Sequence, residues 1–131
     1  MLECLILGDS IGVGTAIVRK DCVSYSVGGY NSWQWNRRFH DKDLTANTVI
    51  ISLGSNDHAG VKTETELRFM RANAKAQRVF WILPAIKPNI QELVKKVAND
   101  FGDVVIPIVS LQPDKVHPSW KGYQAIAEAT K

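Results

Sequence analysis

Long apolar runs are missing from this sequence, and no stretch approaches the roughly 18 consecutive apolar residues that cross a bilayer. The first residues also lack the basic-then-apolar pattern of a secretory signal, because a polar turn begins at Gly8. These two absences predict a soluble protein that does not associate with membranes and that resides in the cytoplasm.

Cysteine is scarce, with only Cys4 and Cys22 among 131 residues. A structural zinc site needs about four ligands in recognisable pairs, so the sequence predicts no metal site, and no motif for another cofactor is present. Both cysteines fall in or near strand-like segments and could be neighbours on adjacent strands. A reducing compartment disfavours disulfides, so we expect two small buried thiols rather than a bridge.

A strong excess of one charge is also missing, because 16 Lys and Arg residues oppose 13 Asp and Glu residues to give a net charge of +3. Pairs such as Arg37-Arg38 and Lys95-Lys96 are most simply solvated helix faces, and nucleic acid is not a predicted partner. Hydrophobic residues make up 45% of the chain, which is enough to build one core. We therefore predict a single domain over residues 1–131.

Five short segments are rich in Val, Ile and Leu, and their nearly continuous apolarity is typical of parallel strands buried on both faces. They are residues 2–7, 22–27, 48–53, 78–83 and 104–109. Helical segments alternate with them at 63–77, 88–101 and 119–129, and the first of these opens with Thr-Glu-Thr-Glu, which resembles a capping box. This alternation predicts an α/β fold, a three-layer α/β/α sandwich around a five-stranded parallel sheet.

Polar or glycine-rich turns follow four of these strands. Open parallel sheets place their ligand sites at the carboxyl ends of the strands, so these turns should meet on one rim. Each turn alone has a simpler explanation, as a helix cap, an Asx turn or a tight chain reversal. Their joint occurrence on one rim favours a catalytic site. The residues concerned are Ser10, Gly28, Gly29, Asn56, Asp114 and His117.

The residue types on this rim are those of nucleophilic acyl transfer. A serine at the start of a helix suits a nucleophile beside an anion, and His117 would take its proton. Asp114 lies three residues before His117 and could orient the imidazole. The segment Gly8 to Gly12 also fits the Gly-x-Ser-x-Gly elbow of α/β-hydrolases, but that fold places several strands before its nucleophile, and here only one precedes Ser10.

Four segments together resemble the sequence blocks of the SGNH hydrolases, the GDSL esterase and lipase family, over nearly the whole chain. They are Gly8-Asp9-Ser10-Ile11, Ser26-Val27-Gly28-Gly29, Gly54-Ser55-Asn56-Asp57 and Asp114-Lys115-Val116-His117-Pro118. The resemblance implies a flavodoxin-like fold with Ser10 as nucleophile and His117 and Asp114 as base and orienting group. It also implies Gly29 and Asn56 as oxyanion donors, although the choice between Gly28 and Gly29 stays open.

Short loops limit the substrate, since residues 58–62 leave little room for a lid or an acyl tunnel. An open site favours a small acyl group such as acetyl. Tyr30, Trp33 and Trp35 could form a sugar-stacking surface, although core packing of at least one tryptophan is equally consistent. We predict a serine esterase for short-chain acyl esters, carbohydrate esters included. A thioesterase, a lysophospholipase and a non-catalytic carbohydrate-binding module are the alternatives.

Overall fold

The computed structural model describes residues 1–131 as five strands and five helices in strict alternation. The strands are β1 (Leu2–Gly8), β2 (Val23–Ser26), β3 (Leu44–Ser52), β4 (Ala74–Ile82) and β5 (Val104–Ile106). The helices are α1 (Ser10–Val18), α2 (Ser32–Phe39), α3 (Thr63–Asn73), α4 (Pro88–Asp100) and α5 (Trp120–Ala129). All strand pairs are parallel, in the order β2-β1-β3-β4-β5. The predicted α/β architecture with its five-stranded parallel sheet is confirmed.

Side chains alternate between the two faces of the sheet, so each central strand contributes to two cores. Leu5 and Leu7 of β1 point into the larger core, which α2, α3 and α4 cover. Cys4 and Ile6 point into the smaller core, which α1 and α5 cover. Because both faces are covered, the central strands must be apolar at consecutive positions. This continuous apolarity is the pattern from which the strands were predicted.

The boundary between α3 and β4 differs from the prediction. The helix expected over residues 63–77 ends at Asn73, and β4 begins at Ala74. Leu44 and Ala46 at the start of β3 pair with Ala74 and Ala76, so tertiary strand pairing overrides the helix propensity of this Ala- and Lys-containing segment. The expected capping box is also wrong, since no side chain caps α3.

The expectation of two free thiols is wrong, because Cys4 and Cys22 form a disulfide. Leu5 pairs with Val23 in the parallel register of β1 and β2, and this places the preceding residues opposite each other with their Cα atoms 4.4 Å apart. Disulfides persist in oxidising compartments, so the bridge weighs against the cytoplasmic location predicted from the sequence. None of the five helices is long and apolar enough to cross a membrane.

Loss of this disulfide should destabilise the protein. The bridge spans a sequence separation of 18 residues. Closing a loop of this size lowers the conformational entropy of the unfolded chain, which raises the free energy of unfolding by about 3 kcal/mol. We expect a Cys4→Ala/Cys22→Ala double variant to melt about 10 °C below the oxidised wild type in a thermal denaturation experiment. Wild type reduced with dithiothreitol should melt close to the double variant. Equal melting temperatures for the oxidised and reduced protein would contradict this prediction.

Candidate active site

The carboxyl ends of β1, β2 and β3 are level with one another. Gly8 at the end of β1 pairs with Ser26 of β2 on one side and with Ser52 of β3 on the other. The turns that leave these three strands therefore start at the same edge of the sheet. This register brings together the segments that carry Ser10, Gly28-Gly29 and Asn56.

Ser10 is the first residue of α1, and Asp9 is its N-cap. The Asp9 carboxylate accepts from the backbone N–H of Ile11 at 2.9 Å, so Asp9 caps the helix and leaves the Ser10 side chain free for another partner. Since the first N–H groups of a helix have no intrahelical acceptor, the Ser10 N–H is also free to bind an anion.

Ser10 meets a histidine from the other end of the chain. Its Oγ lies 2.8 Å from Nε2 of His117, and Nδ1 of His117 lies 2.7 Å from Oδ2 of Asp114. The three side chains thus form a continuous hydrogen-bonded series from hydroxyl to imidazole to carboxylate. Three residues predicted from the sequence are brought together by the fold.

A tight loop after β5 fixes His117 and Asp114. Oδ1 of Asp114 accepts from the backbone N–H groups of Val116 and His117 at 2.9 and 3.0 Å. These backbone donors, with the His117 side chain, lower the pKa of Asp114 to about 2, so this carboxylate is ionised at neutral pH. Lys115 between them adopts a left-handed φ of 60°, which closes the loop.

Asp9 has the opposite electrostatic character. Its side chain is fully buried, and burial raises its pKa to about 6 although the backbone N–H of Ile11 opposes the shift. One carboxylate oxygen, Oδ2, has no hydrogen-bond partner. The residue next to Ser10 is therefore a buried carboxyl group with a raised pKa, a feature that no sequence motif indicated.

Gly28 and Gly29 form a turn between β2 and α2. The backbone N–H of Tyr30 donates to the carbonyl of Val27, and Gly29 has a positive φ of 80°, the conformation that a type II turn requires at this position. A Cβ added to Gly29 would meet nothing within 4 Å, whereas one added to Gly28 would lie 3.9 Å from Cβ of Ser10. The turn therefore leaves its backbone N–H groups accessible beside Ser10. Both glycines remain candidate hydrogen-bond donors to an oxyanion.

Asn56 lies in the turn that follows β3. The N–H of Asp57 donates to the carbonyl of Gly54 at 3.0 Å and closes this turn, and Nδ2 of Asn56 donates to the carbonyl of Tyr30 at 2.9 Å. That bond uses one of the two amide hydrogens and fixes the plane of the side chain. The second hydrogen on Nδ2 stays available for a ligand.

Asp57 has a role that the sequence reasoning missed. It is 1% exposed, and its carboxylate accepts from Oγ and N–H of Ser32 at 2.6 and 2.9 Å and from Oγ1 of Thr63 at 2.8 Å. It thereby connects the turn with Asn56 to the N-termini of α2 and α3. The only available signal was its place directly after Asn56, which the motif comparison treated as part of one block.

The surroundings of Ser10 are open. No surface cavity is lined by Ser10 or His117. One cavity of about 400 Å³ includes His58, two residues after Asn56. It is lined by Asn31, Trp33, Gln34, His58, Gly60 and Val61. Trp33 is 48% exposed, whereas Trp35 is completely buried in the larger core, so only Trp33 of these two tryptophans can meet a ligand.

No group of three or more His, Cys, Asp or Glu side chains is arranged to hold a metal ion.

Comparison with known proteins identifies the architecture. No family model and no curated protein sequence matches the chain. A GDSL-like lipase from Bacteroides thetaiotaomicron is 20% identical with a TM-score of 0.72, and the match covers 98% of this chain and 85% of the lipase. The esterase EstA from a Pseudoalteromonas species, in a structure inhibited by monoethylphosphonate, is 18% identical with a TM-score of 0.62. This match covers 98% of this chain and 93% of the esterase. The chain thus has the α/β/α fold of GDSL-like lipases and esterases, the SGNH hydrolase fold that the sequence motifs implied.

Proposed function

We propose that this protein is a serine esterase of the SGNH type. The observation that carries the proposal is the hydrogen-bonded series Ser10–His117–Asp114, with 2.8 and 2.7 Å between its members, at the edge of the sheet where the turns of β1, β2 and β3 converge. A hydroxyl that donates to an imidazole oriented by a carboxylate is the arrangement that activates serine for attack on an acyl carbon.

In the proposed acylation step, Oγ of Ser10 attacks the ester carbonyl while Nε2 of His117 takes the hydroxyl proton. The carbonyl π bond breaks and its electrons form the tetrahedral oxyanion. When this intermediate collapses, His117 gives the proton to the departing alcohol, and the acyl group stays on Ser10. Asp114 holds Nδ1 protonated throughout, so that Nε2 is the basic nitrogen.

The oxyanion would receive three hydrogen bonds. The donors are the N–H of Ser10 at the start of α1, the N–H of Gly29 and the free amide hydrogen of Asn56. Deacylation repeats the sequence with water, which loses a proton to His117 and attacks the acyl carbon. The carboxylic acid leaves, and Oγ of Ser10 regains its proton.

The open surroundings favour a small acyl group on a larger alcohol. A short acyl chain needs no groove, and the cavity lined by Asn31, Trp33 and Gln34 offers an aromatic face and amide groups to the alcohol part of the ester. An exposed aromatic face of this kind suits the apolar face of a sugar ring. We therefore propose acetyl-like esters, with acetylated saccharides among them, as the substrate class.

A hydrolysis panel with acyl chains of increasing length tests this substrate class. Each buried methylene contributes roughly 0.8 kcal/mol, so an enzyme with an acyl groove gains in kcat/KM as the chain lengthens. Without such a groove, we expect p-nitrophenyl acetate and butyrate to react faster than the octanoate. A kcat/KM that rises steadily from the two-carbon to the ten-carbon ester would contradict the short-acyl proposal.

Adding acyl thioesters, lysophospholipids and a fluorophosphonate label to this panel separates the alternatives. A preference for acyl thioesters or lysophospholipids over oxygen esters would indicate the thioesterase or lysophospholipase alternative. A protein that binds sugars but is neither labelled by a fluorophosphonate nor active on any ester would be a binding module.

A further inference from the structure

Lys87, directly before α4, has an unusual backbone conformation. Its φ of 63° and ψ of 81° lie in the left-handed region, which residues with a Cβ rarely occupy. Such a conformation costs energy and persists only where the surroundings hold it, frequently at functional sites. Pro88 follows and opens α4, so this strained residue sets the direction in which the helix starts.

The side chain of Lys87 returns to the turn that carries Asn56. Its Nζ donates to the backbone carbonyl of Asp57 at 2.6 Å, and the lysine is half-buried. A short bond from an ammonium group to a carbonyl is stronger than one between neutral partners. Lys87 is thus joined to the residue that directly follows Asn56.

The start of α4 also packs against the other end of this turn. Gly54 has a φ of 118°, and a Cβ added to it would lie 2.8 Å from Cγ2 of Ile90. The turn from Gly54 to Asp57 is therefore held at both ends by the first residues of α4, through an apolar contact at Gly54 and through the ammonium of Lys87 at Asp57.

We propose that Lys87 is a positioning residue that holds Asn56 in place to donate to the oxyanion. The inference rests on the proposed esterase function. Asn56 is fixed on one side through its Nδ2 bond to the carbonyl of Tyr30. On the other side, Lys87 holds the carbonyl of the next residue, Asp57. Donors that are already oriented need no reorganisation when charge develops, and a displacement of about 1 Å can cost roughly 10²-fold in rate.

The test uses Lys87→Met, which keeps the length of the side chain and removes the donor. We expect kcat for p-nitrophenyl acetate to fall about 10-fold or more, with little change in KM, because the interaction acts on the transition state. Lys87→Arg should recover part of the loss because it restores a cationic donor. Lys95→Met, an exposed lysine on the same helix, should behave like wild type.

Two further variants separate positioning from stability. Lys87→Gly lacks the ammonium but takes the left-handed conformation without strain, so it should melt at or above Lys87→Met and have the same low kcat. In an Asn56→Ala background, itself expected to lose roughly 10²–10³-fold in kcat, Lys87→Met should cause no further loss. This non-additivity links Lys87 to Asn56 in particular.

The outcomes are distinct. Wild type without esterase activity would overturn both the proposed function and this inference. An active wild type with a normal kcat in Lys87→Met would overturn the inference alone. Losses that multiply in the Lys87→Met/Asn56→Ala double variant would also overturn it, since Lys87 would then act independently of Asn56.

Discussion

Replacing Ser10 with alanine should abolish ester hydrolysis, with a fall in kcat on the order of 10⁶-fold, the loss that follows removal of the serine from a comparable triad. The variant loses the only atom that forms a covalent bond to the acyl group, and His117 then has no hydroxyl to activate. Intact-mass analysis after treatment with a fluorophosphonate should show one adduct on wild type and none on Ser10→Ala.

Ser24 provides a matched control. Ser24 lies on β2, and its Oγ donates to Oγ of Ser26 at 2.8 Å rather than to a histidine. Ser24→Ala should therefore be labelled like wild type. Labelling that persists in Ser10→Ala, with the melting temperature unchanged, would refute the assignment of the nucleophile.

The second large effect is expected for Asp114→Asn, with kcat lowered by up to about 10⁴-fold. Oδ1 of the amide can still accept from the N–H groups of Val116 and His117, so the loop should keep its shape. The NH₂ group that replaces Oδ2 cannot accept a hydrogen bond from Nδ1–H of His117, so the imidazole is no longer held in the tautomer in which Nε2 is basic. Steady-state kinetics on p-nitrophenyl acetate measure this loss.

Two observations check the interpretation of Asp114→Asn. Asp114→Ala removes the acceptor for both backbone amides, so it should melt below Asp114→Asn.

The lowered pKa of Asp114 means that its ionised form contributes to the free energy of unfolding at pH values above 3.8, the ordinary pKa of aspartate. This contribution is lost as the pH falls toward about 2. Asp114→Asn with near-normal turnover would show that Asp114 only shapes the loop.

The sequence predicted the architecture and the approximate position of the candidate site because both depend on local patterns. Continuous apolar strands identify a sheet covered on both faces, and strand ends identify the rim on which Ser10, Asn56 and His117 lie. Two of the three predicted helices end within one residue of their expected positions, at Asp100 and Ala129. The contacts between Ser10, His117 and Asp114 follow from that placement.

The features that the sequence did not reveal depend on tertiary contacts. The start of β4 is decided by its pairing with β3, which local propensity cannot show. The disulfide depends on the register of β1 and β2, and the compartment argument pointed the other way. The contact of Lys87 with Asp57 joins residues 30 positions apart and has no sequence motif.

The hydrogen bond between Ser10 and His117 joins residues that are 107 positions apart in the chain, which has a consequence for biosynthesis. The ribosome makes the serine before the histidine, and contacts between distant residues are slow to form. While the chain is being made, Ser10 has no base and is an ordinary alcohol. Under the proposed esterase function, a chain that ends before the segment following β5 would therefore not hydrolyse esters.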